Sequence, residues 1–355
     1  MSNDPGARHT GHAMNQTLTE RVVRTPRHNT FHLDGGSPDA PLLIFLHGWP
    51  ELAISWRHQQ RCFVDLGFRV VAPDMRGYGR SGQHPALADH AMQPIVQDML
   101  ELLATLGRTS CTWIGHDWGS AVVWSLAQHH PECVDGAANL CVPYMPNGFA
   151  PDNLIARVDR SIYPADAYPA GQWDYMRFYE ENFDRARAVF EANPINFVKA
   201  MFRKGQAKQV GQPARLASIR RDGGWFGGAD APPDVPRDED LLTEDDLKRY
   251  SQALAANGMF GPDAWYMNAA ANAAYARAAP NGGRLAMPVL FLHAAWDTTC
   301  DTVGRALAQP MREHCADLTE GVLPTGHWMA QERPELVNAA LARWLALKFP
   351  SYWPA

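Results

Sequence analysis

The sequence predicts an α/β protein: a mostly parallel central sheet flanked by helices and interrupted by a helical insertion. Three observations carry this. Short, continuously apolar runs alternate with stretches of helical periodicity up to Val142. From Val142 to Leu285 the alternation stops, and aromatic-rich amphipathic pieces replace it. After Met287 the strand signal returns and a closing helix follows.

LLIFL at 42–46 is apolar throughout, as a strand covered on both faces must be. A helix is expected over 54–66, then the strand RVVAP at 69–73. The glycines of DMRGYGRSG, 74–82, mark a loop. Helical spacing at 95–106, a strand CTWIG at 111–115, a helix over 119–129 and a strand GAANL at 136–140 complete the first half. In the insertion, 174–190 and 245–257 read as amphipathic helices, separated by a Gly-, Pro- and Asp-rich loop at 222–238. PVLFLH at 288–293 and DLTEGVLP at 317–324 are the last strands, and 334–347 is the closing helix. The expected division is a disordered tail at 1–20, core at 21–142, a helical lid at 143–285 and core again at 286–355.

A hydrophobic share of 46% and a charged share of 20% suit a chain with a real core. The net charge of −6 argues against nucleic acid, whose phosphates need clustered Lys and Arg. No run is long and apolar enough to span a membrane, and the polar N-terminus lacks the apolar core of a secretory signal. None of the six cysteines forms a CxxC pair, so buried free thiols in a reducing cytoplasm are expected.

Gly115-His116-Asp117-Trp118-Gly119 follows a strand and precedes a helix. Small residues at both ends permit a sharp turn that holds the central side chain exposed above the sheet. By itself this motif also fits a βα turn whose aspartate caps the helix. Distant partners favour the chemical reading. His47-Gly48-Trp49-Pro50 follows LLIFL, where a backbone amide can help to hold an oxyanion. Asp297 follows the strand at 288–293, and His327 follows the strand at 317–324. The order Asp117, Asp297, His327 is that of a nucleophile, an acid and a histidine converging on one elbow.

An aspartate needs no base to become a nucleophile, because carboxylates are ionised at neutral pH. Attack on a saturated carbon gives an alkyl ester, whose hydrolysis needs a general base for water and donors for the oxyanion. His327 oriented by Asp297 fits the base, and the amides of Trp49 and Trp118 fit the donors. The Trp49–Pro50 bond is a candidate cis peptide.

The sequence resembles the α/β-hydrolase-fold epoxide hydrolases of the soluble type. The resemblance rests on HGWP at 47–50, DMRGYGRSG at 74–82, GHDWG at 115–119 and TGHW at 325–328. In the insertion it rests on WDYMRFYEENF at 173–183, FVKAMFRKG at 197–205 and FGPDAWYMN at 260–268. It implies that Tyr175 and Tyr266 point down from the lid at the epoxide oxygen, whose developing alkoxide a neutral phenol can stabilise. Trp49, Trp118, Tyr179 and Trp328 are the expected pocket residues. Tyr179 lies one helical turn from Tyr175 where the family usually has phenylalanine, and Glu180 stands where it usually has glutamine. The implied reaction is conversion of a small-molecule epoxide and water to a vicinal diol. It requires no metal or organic cofactor. A monomer or homodimer is expected. Haloalkane or haloacid dehalogenases share Asp-Trp at the elbow and are the alternative. A catalytically silent binding protein is a third reading, disfavoured because all three reactive positions are filled.

Overall fold

The computed structural model describes residues 18–353. Among the described residues eight strands form one sheet: β1 (Thr19–Arg24), β2 (Asn29–Gly35), β3 (Leu42–Leu46), β4 (Arg69–Pro73), β5 (Cys111–His116), β6 (Val134–Leu140), β7 (Leu285–Ala294) and β8 (Cys315–Leu323). Their spatial order is β1-β2-β4-β3-β5-β6-β7-β8. The pairs β1–β2 and β2–β4 are antiparallel and all the others parallel.

Two of these strands, β1 and β2, were not anticipated. Thr19 and Glu20 correct the expected tail: they begin β1, paired with Asp34 and Leu33 of β2. Residues 1–17 lie outside the described residues. The physical reason is visible. β1 is an edge strand that buries only Val23, so it has no apolar run to read. β2 buries His32 and Asp34, and Arg69 of β4 pairs with the Asp34 carboxylate at 3.0 Å. A tertiary ion pair thus replaces the hydrophobic signal.

On the first core segment lie α1 (Arg57–Asp65), α2 (Met92–Thr105) and α3 (Trp118–His129). Between β6 and β7 no strand occurs among the described residues; α4 (Pro151–Ile155), α5 (Asp174–Glu191), α6 (Pro194–Met201), α7 (Glu244–Asn257), α8 (Phe260–Ala264) and α9 (Ala269–Arg277) fill that stretch. Then α10 (Gln309–His314) precedes β8, and α11 (Met329–Glu332) and α12 (Pro334–Lys348) close the chain. α7 starts on a reciprocal capping box, Thr243 with Asp246. The 222–238 loop is not free of order: Trp225 anchors it in the interior, 4% exposed.

The core sits around β3, β4 and β5, where Leu43, Ile44, Phe45, Leu46, Val70, Val71 and Trp113 are wholly buried. All parallel strands run the same way, so the loops leaving β3, β5, β7 and β8 gather at one end of the sheet, where open parallel sheets place their ligands. Among the described residues no helix is long and apolar enough to cross a membrane.

Candidate active site

Asp117 sits between β5 and α3 with φ 49° and ψ −124°, a strained conformation for a residue with a side chain. The turn is possible because glycines stand two residues away on either side. A Cβ on Gly119 would collide with the Leu46 carbonyl, and one on Gly115 would lie 2.6 Å from the Gly119 oxygen. A Cβ on Gly48 would overlap the Asp117 carboxyl itself. The crossing of β3 and β5 ends therefore admits no larger residue at these positions.

Asp117 is held from both sides. The Trp49 amide donates to its Oδ1 at 2.7 Å. His327 Nε2 lies 3.5 Å from its Oδ2. His327 Nδ1 in turn meets Asp297 Oδ2 at 2.7 Å. The other Asp297 oxygen accepts the amides of Thr299 and Cys300 at 2.8 and 2.9 Å. Burial alone would lower the His327 pKa, but the Asp297 and Asp117 carboxylates outweigh it and hold the imidazole well above its ordinary range. Burial would raise Asp297, yet His327 and the two amides bring it below the usual carboxylate value. The Trp49–Pro50 peptide is cis. Trp118 opens α3, which puts its amide at the helix N-terminus beside Asp117.

A cavity of about 620 Å³ brings Trp49, Asp117, Tyr175, Tyr266, Asp297, His327 and Trp328 onto one wall system. A narrower apolar recess of about 40 Å³ also borders Asp117, lined by Trp118, Val142, Phe149, Trp173 and Met176 among others. The rings of Tyr175 and Tyr266 stand edge to face at 5.8 Å. Burial, reinforced by the Asp117 charge, pushes both phenols well above their usual pKa, so they are neutral donors. Trp328 lines the cavity too, and its indole donates to the Met201 carbonyl of α6 at 3.0 Å.

Tyr179 is placed apart from the expected pocket group. It lines neither space: it is wholly buried, stacked on Tyr266 at 4.6 Å and 11°. Its hydroxyl donates to Asp263 at 3.3 Å. Glu180 points away and pairs with Arg177 at 2.7 Å.

Several contributors escaped the sequence reading. Glu51, 3% exposed, accepts the Gly48 amide at 3.0 Å and meets His116 Nδ1 at 2.8 Å. His116 Nε2 reaches the His327 carbonyl at 2.8 Å, so this buried pair fixes two site loops at once. His116 lies inside the GHDWG motif, which could have drawn attention to it; Glu51 follows HGWP directly. Trp225, from the 222–238 loop, packs against Trp49 at 6.0 Å and Tyr175 at 6.2 Å, and no local signal marks it.

Among the described residues two side-chain groups have the proximity for a metal ion, His116–Cys141–His327 and Asp297–Cys300–His327. Neither fits one. Both nitrogens of His116 and the Nδ1 of His327 are already hydrogen-bonded. Burial pushes both thiols well above their ordinary pKa, so neither offers a thiolate. All six cysteines are free.

Residues 41–334 match the family described as alpha/beta hydrolase fold. Epoxide hydrolase A of Mycobacterium tuberculosis is 30% identical over 92% of this chain and 97% of its own length. Bifunctional epoxide hydrolase 2 of Sus scrofa is 30% identical over 86% of this chain, which spans only 51% of that longer protein. The crystal structure of epoxide hydrolase A from Mycobacterium thermoresistibile superposes with a TM-score of 0.74 at 30% identity, covering 93% of this chain and 98% of the other. The chain belongs to the α/β-hydrolase fold family, as a hydrolase. Within that family it is a member of the epoxide hydrolases.

Proposed function

We propose that the protein converts an epoxide to a vicinal diol through a covalent ester on Asp117. The observation that carries this reading is the cavity in which Asp117, His327, Tyr175 and Tyr266 meet. Asp117 Oδ1 is tied to the Trp49 amide, so Oδ2 attacks the epoxide carbon. The carbon–oxygen bond of the ring breaks, and the alkoxide takes a proton from Tyr175 or Tyr266. Ester formation removes the Asp117 charge. One of the two carboxylates that keep His327 protonated is then gone, so the imidazolium gives its proton through solvent to the phenolate left by ring opening, and the neutral imidazole can then take a proton from water. Hydroxide attacks the ester carbonyl, with Oδ1 stabilised by the Trp49 and Trp118 amides. The departing diol oxygen takes the proton from His327. Residues 143–285 act as the lid that supplies the phenols, and 21–142 and 286–355 supply the Asp–His–Asp chain. The apolar recess beside Asp117 suits an apolar substituent on the epoxide. Six free thiols suit a reducing cytoplasm.

A dehalogenase would need indole N–H groups free to hold a halide. The Trp49 indole is committed to Asp263 Oδ1 at 2.8 Å, which favours the epoxide reading. The test is His327→Gln incubated with a styrene-type epoxide and analysed by mass spectrometry. The elbow peptide should gain the mass of the epoxide and keep it. A folded variant that binds substrate yet never accumulates the adduct rules the two-step scheme out.

A further inference from the structure

Asp263 of α8 is a carboxylic acid with no exposed surface. Burying such a group is costly unless its position does something. Its Oδ1 accepts two hydrogen bonds, from the Trp49 indole at 2.8 Å and the Tyr179 hydroxyl at 3.3 Å. Its Oδ2 has no partner among the described residues. Burial drives its pKa far above the carboxylate range, so the group is a neutral acid and adds no second negative charge beneath the phenols.

The two rings it holds are the walls of Tyr266. Tyr179 stacks flat on one face at 4.6 Å, and Trp49 meets it edge to face at 6.1 Å. The Trp49 backbone amide is also the donor to Asp117. A single oxygen atom thus ties together the ring behind the oxygen-binding phenol and the residue that clamps the attacking carboxylate. We propose that Asp263 is a positioning residue for ring opening, fixing Tyr266 over Asp117 through Tyr179 and Trp49. This rests on the function proposed above. Asp263 touches no reacting atom. Displacing a reacting group by an ångström can cost about a hundredfold in rate, which is the scale on which such a brace acts.

The experiment is built on His327→Gln, where adduct growth on the elbow peptide reads ring opening alone. Asp263→Leu in that background should slow adduct growth about tenfold to a hundredfold. In the otherwise wild-type chain, hydrolysis of preformed ester uses the Trp49 amide but not Tyr266, so it should fall less than ring opening, a split that general loosening of the fold does not produce. Asp263→Asn keeps the Oδ1 acceptor and should recover most of the ring-opening rate. Should Asp263→Leu fail to fold, Tyr179→Phe carries the test. It keeps the stack, loses the hydroxyl bond and should slow ring opening selectively by about threefold, within the range of one neutral hydrogen bond. Equal adduct growth with and without Asp263→Leu overturns the brace, as does Asp263→Asn as impaired as the leucine variant, or an unaltered Tyr179→Phe. Absence of adduct in His327→Gln itself overturns the ester mechanism instead, so the two failures are distinguishable.

Discussion

The strand-end half of the site and the helical half are built by different means. Asp117 and Asp297 stand on loops that leave buried parallel strands, His327 follows the parallel edge strand β8, and close backbone crossings set their places. Gly48, Gly115 and Gly119 each sit where a Cβ would strike a neighbour. Tyr175 and Tyr266 stand on helical segments and are set by ring packing: Tyr179, Trp49, Trp225 and Trp118 surround them at 4.6 to 6.2 Å. The first half is rigid through excluded volume. The second is rigid through apolar contact, where each ring pair is worth about 1 kcal/mol beyond its burial.

This contrast sets the size of each expected effect. Asp117→Asn, assayed on fresh enzyme before deamidation, should lower kcat by at least about 10⁴-fold, the scale seen when a nucleophile is removed from a concerted unit. Residual turnover of a tenth or more would break the strand-end account. Tyr175→Phe with Tyr266→Phe together should lower the ring-opening rate by about 10² to 10⁴-fold, the span of general acid catalysis. Each single change should cost much less, because the other phenol still donates. Single variants as inactive as the double would mean that the two hydroxyls act in series.

Glu51 sharpens the comparison from the stability side. Glu51→Ala leaves the His116 ring nitrogen and the Gly48 amide buried without their acceptor and should destabilise the fold, at about 1–3 kcal/mol for each unsatisfied group, measured by denaturant unfolding. Burial would raise the Glu51 carboxyl, but His116 and the Gly48 amide bring it from 4.5 to about 2. A depressed folded value contributes stability that is present above pH 4.5 and lost as the pH falls toward 2. Glu51→Gln should therefore flatten the acid limb of the stability profile. An unchanged acid limb would mean that the pair does not brace the loops.

Much of the strand-end half was legible. Five buried strands, β3 to β7, and the GHDWG, HGWP, Asp297 and TGHW loops are local patterns, because a doubly covered strand must be apolar and a sharp turn must be small. β1 and β2 were not legible, since one is an exposed edge and the other buries His32 and Asp34, the latter paired with a distant arginine. In the insertion, the helix at 174–190 was read within a residue of α5, yet the kink at Asn182 was not. Tyr179 was read from its helical spacing as a neighbour of Tyr175, and it is one, with ring centroids 6.4 Å apart. Its place behind Tyr266 depends on α8, far along the chain.

The amino-acid order by itself determined the fold class and the position of the elbow, and it pointed to the three side chains, Asp117, Asp297 and His327, that the fold brings together, because a buried strand and a sharp turn admit only a few residue types. Tertiary structure alone decided the buried Glu51–His116 pair, the inward turn of Trp225 and the bracing of Trp49 and Tyr179 by Asp263. Each of those depends on polar atoms or rings from remote segments meeting away from water, and no local spacing encodes such a meeting.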